Sequence, residues 1–273
     1  MGKLDGKVAI VSGSGRGIGR ACAIKLASEG ARVVVNDLDA APAQETLDAI
    51  RALGGQGVAV IGSVTENGFA ERFVATAIDT WGGLDIIVNN TGFTWDSVIQ
   101  KMSDEQFDAV LDVHLKAPFR ILRAAIGYIR DASKRDAEAG REVFRKVVNV
   151  SSISGTHGNA GQTNYSTAKA GITGMTRTLA KEWGRYKVNV NAVAFGYIVT
   201  RMTQAVDQPG TTVDVGGRAL PAGIPAQQVR MMEAGIPLGR GGTPEEAANA
   251  IYLLCTPEAD YISGHILMAT GGL

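Results

Sequence analysis

The chain has 273 residues, and its 27 Lys and Arg balance 27 Asp and Glu, so no net field draws it toward nucleic acid, an anionic membrane or an acidic substrate. A hydrophobic share of 45% with 20% charge excludes disorder, and no apolar run approaches the roughly 18 residues of a membrane-spanning helix. The length suits one α/β domain over residues 1–273, and the 35 glycines predict many tight turns or close backbone approaches.

Residues 8–11 read as a strand, 17–29 as a helix, 33–35 as a strand, 41–53 as a helix, 58–61 as a strand, 66–80 as a helix and 86–88 as a strand. That alternation marks repeated βαβ units. The strands are continuous apolar runs, as in a parallel sheet covered by helices on both faces. A long helical stretch from Ser103 to about Arg130 precedes a strand at 146–150, a helix at 163–183 and a strand at 188–194. Thr243, Pro244, Glu245 and Glu246 supply an N-cap, a proline at the first helical position and acids in the first turn, so a helix runs on to Leu254. Residues 265–269 close the sheet.

Two segments break this rhythm. Residues 131–145 are rich in Lys, Arg, Asp and Glu and read as a solvated extension of the preceding helix. Residues 201–237 are rich in Gly, Pro, Thr and Val, with a small hairpin expected over 212–220, and read as a substrate lid. Its Val206, Val213, Val215, Leu220, Ile224, Met231 and Met232 form an apolar, adaptable set. Cys22 and Cys255 lack the spacing of a disulfide framework or a zinc site, and residues 1–7 lack the apolar core of a signal peptide, so a reducing cytoplasm is expected. His157 and His265 have no ligand-spaced partners, and no metal is assigned.

Two constellations carry chemistry. Between the first strand and the first helix lies Ser12-Gly13-Ser14-Gly15-Arg16-Gly17-Ile18-Gly19, a turn where backbone N–H groups and a helix N-terminus can hold a dinucleotide pyrophosphate. Gly13, Gly17, Ile18 and Gly19 form that cradle, and Arg16 could either contact a phosphate or lie solvated. Asp37 ends the second strand, where a carboxylate can accept both hydroxyls of an adenosine ribose and repel a 2′-phosphate, so NAD is favoured over NADP. The second constellation is Ser152, Tyr165 and Lys169. Tyr165 and Lys169 are four apart on one helix and share a face, so an ammonium there would lower the phenol's pKa and ready it for proton exchange. Ser152, ending the preceding strand, can hydrogen-bond the same substrate oxygen.

With the glycine turn, Asn89-Asn90-Thr91-Gly92, Val150-Ser151-Ser152, Tyr165-Ser166-Thr167-Ala168-Lys169 and the closing Gly271-Gly272 in order, the sequence resembles the short-chain dehydrogenase/reductase family over essentially its whole length. The resemblance implies a single-domain Rossmann-type doubly wound parallel sheet flanked by helices on both faces. It implies Tyr165 as acid/base, Lys169 on the nicotinamide ribose and assisting Tyr165, and Ser152 polarising the carbonyl. It further implies cofactor contacts from Leu38 beside Asp37, from Asn90, Thr91 and Gly92, from Ser63 and Val64 at the adenine, and from Ile198 and Thr200 at the nicotinamide carboxamide. A homodimer or homotetramer is implied as well.

The sequence departs from the family at several positions. His114 stands where the family's proton relay has Asn, and Thr91 replaces the usual Ala. Pro118 lacks an N–H, so the carbonyl of residue 114 loses its helical donor and could hold a relay water whatever the side chain. Phe195 replaces the common proline before Gly196, and Ser63 stands where Asp is frequent. Gly158 to Gln162 and Pro237 to Arg240 look most like the 3-oxoacyl reductase branch. The expected activity is therefore NAD-dependent interconversion of a secondary alcohol and a ketone, first of all a 3-hydroxyacyl/3-oxoacyl thioester carried by acyl carrier protein or coenzyme A. The alternatives are a hydroxysteroid or cyclic-alcohol dehydrogenase, and a dinucleotide-binding protein without catalysis.

Overall fold

The computed structural model describes residues 2–206, 212–215 and 217–273, so residues 207–211 and Gly216 of the expected lid lie outside the described residues. In chain order the first half is β1 (Val8–Val11), α1 (Gly17–Ser28), β2 (Arg32–Asp37), α2 (Ala40–Ala52), β3 (Gly57–Ile61), α3 (Phe69–Trp81), β4 (Ile86–Asn89) and α4 (Asp104–Leu111). The second half is α5 (Ala117–Glu138), β5 (Arg145–Ser152), α6 (Ile153–His157), α7 (Thr163–Trp183), β6 (Val188–Phe195), β7 (Ala205–Val206), β8 (Thr212–Val215), β9 (Arg218–Pro221), β10 (Ile224–Pro225), α8 (Ala226–Gly235), α9 (Pro244–Cys255) and β11 (Ile266–Ala269).

Seven parallel strands form one sheet in the order β11-β6-β5-β4-β1-β2-β3. Side chains alternate between faces, so Ala9 and Val11 of β1 join Leu26 of α1 and Ile251 of α9, while Val8 and Ile10 join Phe73 of α3 and Ile121 of α5. Both layers are buried, which is why the strands read as unbroken apolar runs. The order reverses between β1 and β4, and a crevice at such a switch point, beyond the carboxyl ends of the strands, is where this architecture takes its ligands. Cys22 and Cys255 are buried in the α1–α9 layer. Among the described residues no helix is long and apolar enough to cross a membrane.

Three differences from the sequence reading have local causes. The third helix starts at Phe69 rather than residue 66, because Ser63 caps a turn through Thr65 and Gly68 takes a left-handed φ of 79°. The long stretch from Ser103 breaks into α4 and α5 around a π turn at Asp112–Lys116, where Ala117 N–H reaches back to Asp112 O and Pro118 has none to give. The charged segment extends the helix only to Glu138. Arg145 and Lys146 belong to β5 and are buried, with Arg145 bonded to Asp136 at 2.8 Å and Lys146 to Asn189 at 2.8 Å, so their charges are not solvated. The hairpin expected over 212–220 is the antiparallel pair β8–β9. The ninth helix follows its signals, with Thr243 and Glu246 forming a capping box.

Candidate active site

The glycine turn after β1 is shaped from below by β2 and β4. Gly13 N–H donates to Asn36 Oδ1 at 3.0 Å, and Ser14 N–H to Asn36 O at 2.6 Å. Asn90 Nδ2 donates to Ser12 O and Gly13 O, both at 3.0 Å. Gly13 has φ 61° and lies against Thr91, where a Cβ would come to 2.9 Å from Thr91 Cα. A Cβ on Gly19 would overlap Gly13 O and Asn90 Nδ2, and one on Gly15 would overlap the Asp37 carboxylate. Thr200 stands across from Gly17. Arg16, the N-cap of α1, makes no side-chain cap, so the first-turn N–H groups keep their anion-binding capacity. Thr91 Oγ1 is buried beside the turn without a partner among the described residues. Those orphaned donors, that hydroxyl and the side-chain-free cradle fit a dinucleotide pyrophosphate.

Asp37 ends β2 almost buried. Its Oδ1 accepts Asp39 N–H at 3.1 Å, and Arg16 Nη1 lies at 3.4 Å. Arg16 also pairs with Asp39 at 3.1 Å, so the guanidinium that could have met a phosphate is drawn instead to the two acids at the end of β2. Leu38 beside them is exposed. Ser63 spends its hydroxyl on Thr65 at 2.8 Å, and Val64 points into the α3–α5 core, which leaves only its backbone for an adenine. Ile198 likewise packs its side chain in the α1–α9 layer, so only its backbone can meet a carboxamide.

Ser152 ends β5, and Tyr165 and Lys169 lie on α7, which packs on β5 next to it. Gly155 permits the approach of α6 to α7, since a Cβ there would sit 2.6 Å from the Lys169 carbonyl carbon. Lys169 Nζ donates to Val150 O at 2.6 Å and lies 5.6 Å from the centre of the Tyr165 ring. The expected lowering of the phenol is not what this environment produces. Burial pushes Tyr165 up to about 12, against the Ser152 hydrogen bond and with the Asp96 charge, while burial pulls Lys169 down to about 7. The partly buried ring packs against a cluster of Phe93, Val110, Ala168 and the lid residue Leu220. Of the other lid residues, Ile224 packs on Tyr197, Val229 and Ile236, and Met231 and Met232 are exposed.

His114 sits on the π turn with its ring edge toward Tyr165, the ring centres 5.0 Å apart. Its Nε2 lies 2.7 Å from Phe93 O and 3.1 Å from Phe93 N, so the ring is anchored to one backbone residue, and Nδ1 is buried without a partner among the described residues. Burial, then the Lys169 charge, holds its pKa well below the ordinary value, so the ring is neutral and anchored to backbone. Gly92 lies directly against that ring. Among the described residues no three His, Cys, Asp or Glu groups converge as a metal site.

Sequence reasoning missed Asn36, Asp96, Gln162 and Asn164. Asn36 offers a signal as a polar residue next to the end of an apolar strand, and Gln162 closes the 158–162 stretch that resembles the 3-oxoacyl reductase branch. Asn164 accepts Tyr165 N–H at 2.8 Å and donates to Trp95 O at 3.0 Å, tying the tyrosine's helix to the loop after β4.

A protein-family model described as enoyl-(acyl carrier protein) reductase matches residues 13–273. The chain is 34% identical to the 3-oxoacyl-(acyl-carrier-protein) reductase of Thermotoga maritima over 99% of both chains. It is 37% identical to the reductase of that name from Vibrio cholerae over 99% of this chain and 98% of the other. With the hydroxyacyl-CoA dehydrogenase ChsB1 of Mycobacterium tuberculosis it shares 40% identity, over 98% of this chain and 78% of that one.

Proposed function

Since the chain belongs to the short-chain dehydrogenase/reductase family, oxidoreductases acting on CH–OH groups with a nicotinamide dinucleotide, we propose that it interconverts a 3-hydroxyacyl and a 3-oxoacyl thioester with NAD. The observation that carries this reading is the meeting of Ser152, Tyr165 and Lys169 on β5 and α7, with the glycine cradle after β1, two strands away, braced by Asn90 after the intervening β4. The thioester assignment draws on the relatives, reductases of 3-oxoacyl chains and a hydroxyacyl-CoA dehydrogenase. When bound, the nicotinamide gives or takes the hydride.

The chain's own residues hold and move the proton. Gly13 to Gly19 take the pyrophosphate, Asp37 the adenosine ribose, and Lys169 the nicotinamide ribose. Ser152 donates to the substrate oxygen as charge builds on it, and Tyr165 Oη exchanges the proton with that oxygen. Neutral His114 packs behind the tyrosine, and the carbonyl of residue 114, left without an α-helical donor by Pro118, offers the path to solvent. Leu220 brings the lid over the tyrosine side of the pocket, making 201–237 the segment that selects the acyl group. NAD is preferred because Asp37 would face a 2′-phosphate with its negative charge. A homo-oligomer is part of the same proposal, supported by exposed Phe119 on α5 and Leu253 on α9.

The test is a steady-state scan with NAD and NADP in both directions over acetoacetyl-CoA, longer 3-oxoacyl thioesters, acyl-carrier thioesters, and steroid and cyclic alcohols. Turnover of thioesters with NAD is expected. Turnover confined to cyclic alcohols would overturn the substrate assignment and leave the oxidoreductase chemistry standing.

A further inference from the structure

Asp96 lies in the loop between β4 and α4, outside the motifs that suggested the site. Its Oδ2 accepts from Gln162 Nε2 at 2.7 Å. Gln162 Oε1 in turn accepts from Ser154 Oγ and from Asn159 Nδ2, both at 3.0 Å, and Ser154 N–H donates to Ser152 Oγ at 3.1 Å. An ionised carboxylate can only accept, so it orients the glutamine amide with Nε2 outward and Oε1 toward Ser154. The neighbours of Asp96 are tied to the same region: Trp95 O takes Asn164 Nδ2 at 3.0 Å, and Ser97 N–H donates to Gly161 O at 2.9 Å.

We propose that Asp96 is a positioning residue for the reaction, fixing the Ser152 hydroxyl through Gln162 and Ser154. The inference rests on the roles given above to Ser152 and Tyr165. A second consequence follows from charge. Among the described side chains, Tyr165 meets Lys169 on its own helix, neutral His114 on the π turn and Ser152 at the end of β5, with Val110 of α4 and Leu220 of β9 packed near it, and the Asp96 carboxylate acts on it through its charge. Lys169 favours the phenolate, and Asp96 opposes it. Partial desolvation raises the exposed Asp96 carboxyl from its ordinary value, against the Gln162 hydrogen bond, so this opposing charge itself fades as the medium becomes acidic.

The two effects separate in Asp96→Ala, Asp96→Asn and Gln162→Ala. Alanine at 96 removes acceptor and charge, and kcat should fall about tenfold with KM for NAD within about twofold. Asparagine restores an acceptor without the charge, so it should recover most of that loss while moving the ascending limb of the oxidation pH profile to lower pH by about half a unit. Gln162→Ala should reproduce the fall in kcat without the shift. The Tyr165 midpoint is read independently of substrate by 13Cζ-tyrosine NMR of the NAD complex, with Tyr165→Phe assigning the resonance. If the wild type turns over no thioester, the substrate assignment fails while the NMR midpoint and the profile on whichever alcohol is accepted still judge Asp96. An Asp96→Ala protein with wild-type kcat and profile, or an Asp96→Asn protein with an unmoved Tyr165 midpoint, would overturn the proposal.

Discussion

Replacing Asp37 with alanine should narrow the preference for NAD over NADP by at least about thirtyfold. The carboxylate is 8% exposed at the end of β2, so water screens it poorly from a 2′-phosphate on the ribose it is proposed to hold. Two unit charges about 5 Å apart at an effective dielectric near 20 repel by about 3 kcal/mol, roughly two decades in binding. Arg16 at 3.4 Å from Oδ1 offsets part of that field, which lowers the expected effect below the full hundredfold. The variant also loses the ribose hydroxyl bonds, each worth about 1.5 to 3 kcal/mol to a charged acceptor, so kcat/KM for NAD falls as that for NADP rises. The assay is kcat/KM with both dinucleotides on one substrate, with the melting temperature measured alongside because Asp37 also accepts Asp39 N–H. A preference ratio within about twofold of wild type in a folded variant would refute the cofactor argument. Arg16→Ala completes the test, since a large loss confined to NADP would mean that the guanidinium, freed from the acids, serves the 2′-phosphate.

Gly19→Ala drives a methyl into Gly13 O and Asn90 Nδ2, so the NAD dissociation constant measured by calorimetry should rise more than about tenfold, with a lower melting temperature. Leu220→Ala removes the lid contact on Phe93 and Val110, and the KM for a long-chain thioester should rise while that for NAD holds; equal effects on both would deny the lid its role. Because folded His114 is held neutral, the unfolded chain binds a proton there below about pH 6.5 that the folded chain refuses, so this group's contribution is complete above that pH and is lost as pH falls, by at most about 1.4 kcal/mol per unit. Melting curves from pH 7.5 to 5.5 should slope less in His114→Asn, and an identical slope would place the titration elsewhere. Asp136→Ala leaves buried Arg145 without its carboxylate and should cost about 3 to 5 kcal/mol in urea unfolding; a loss under about 1 would mean that Arg145 finds water instead.

What the sequence made legible and what it did not divides along one physical line. The βαβ order, the α9 boundary and the sharing of a face by Tyr165 and Lys169 depend on signals within a few residues, on period, capping and the i, i+4 rule, and these survive in one dimension. Arg145 read as solvated because its neighbours are charged, yet it is the first residue of a buried strand whose carboxylate partner comes from the end of α5. Val64 and Ile198 were assigned by position, and their side chains turn to the core because packing, not motif, decides which way they face. Asp96 and Gln162 meet across a sequence gap that no local pattern marks. Tyr165 shows the limit most plainly. Spacing says correctly that an ammonium comes near the phenol, but desolvation raises Tyr165 to about 12 and lowers Lys169 to about 7, and the residues packed around the tyrosine, Phe93, Val110 and Leu220, come from three separate segments. Burial therefore bears on the proton affinity of this site alongside the Tyr–Lys pair, and Leu220→Ala should move the pH profile although it changes neither residue.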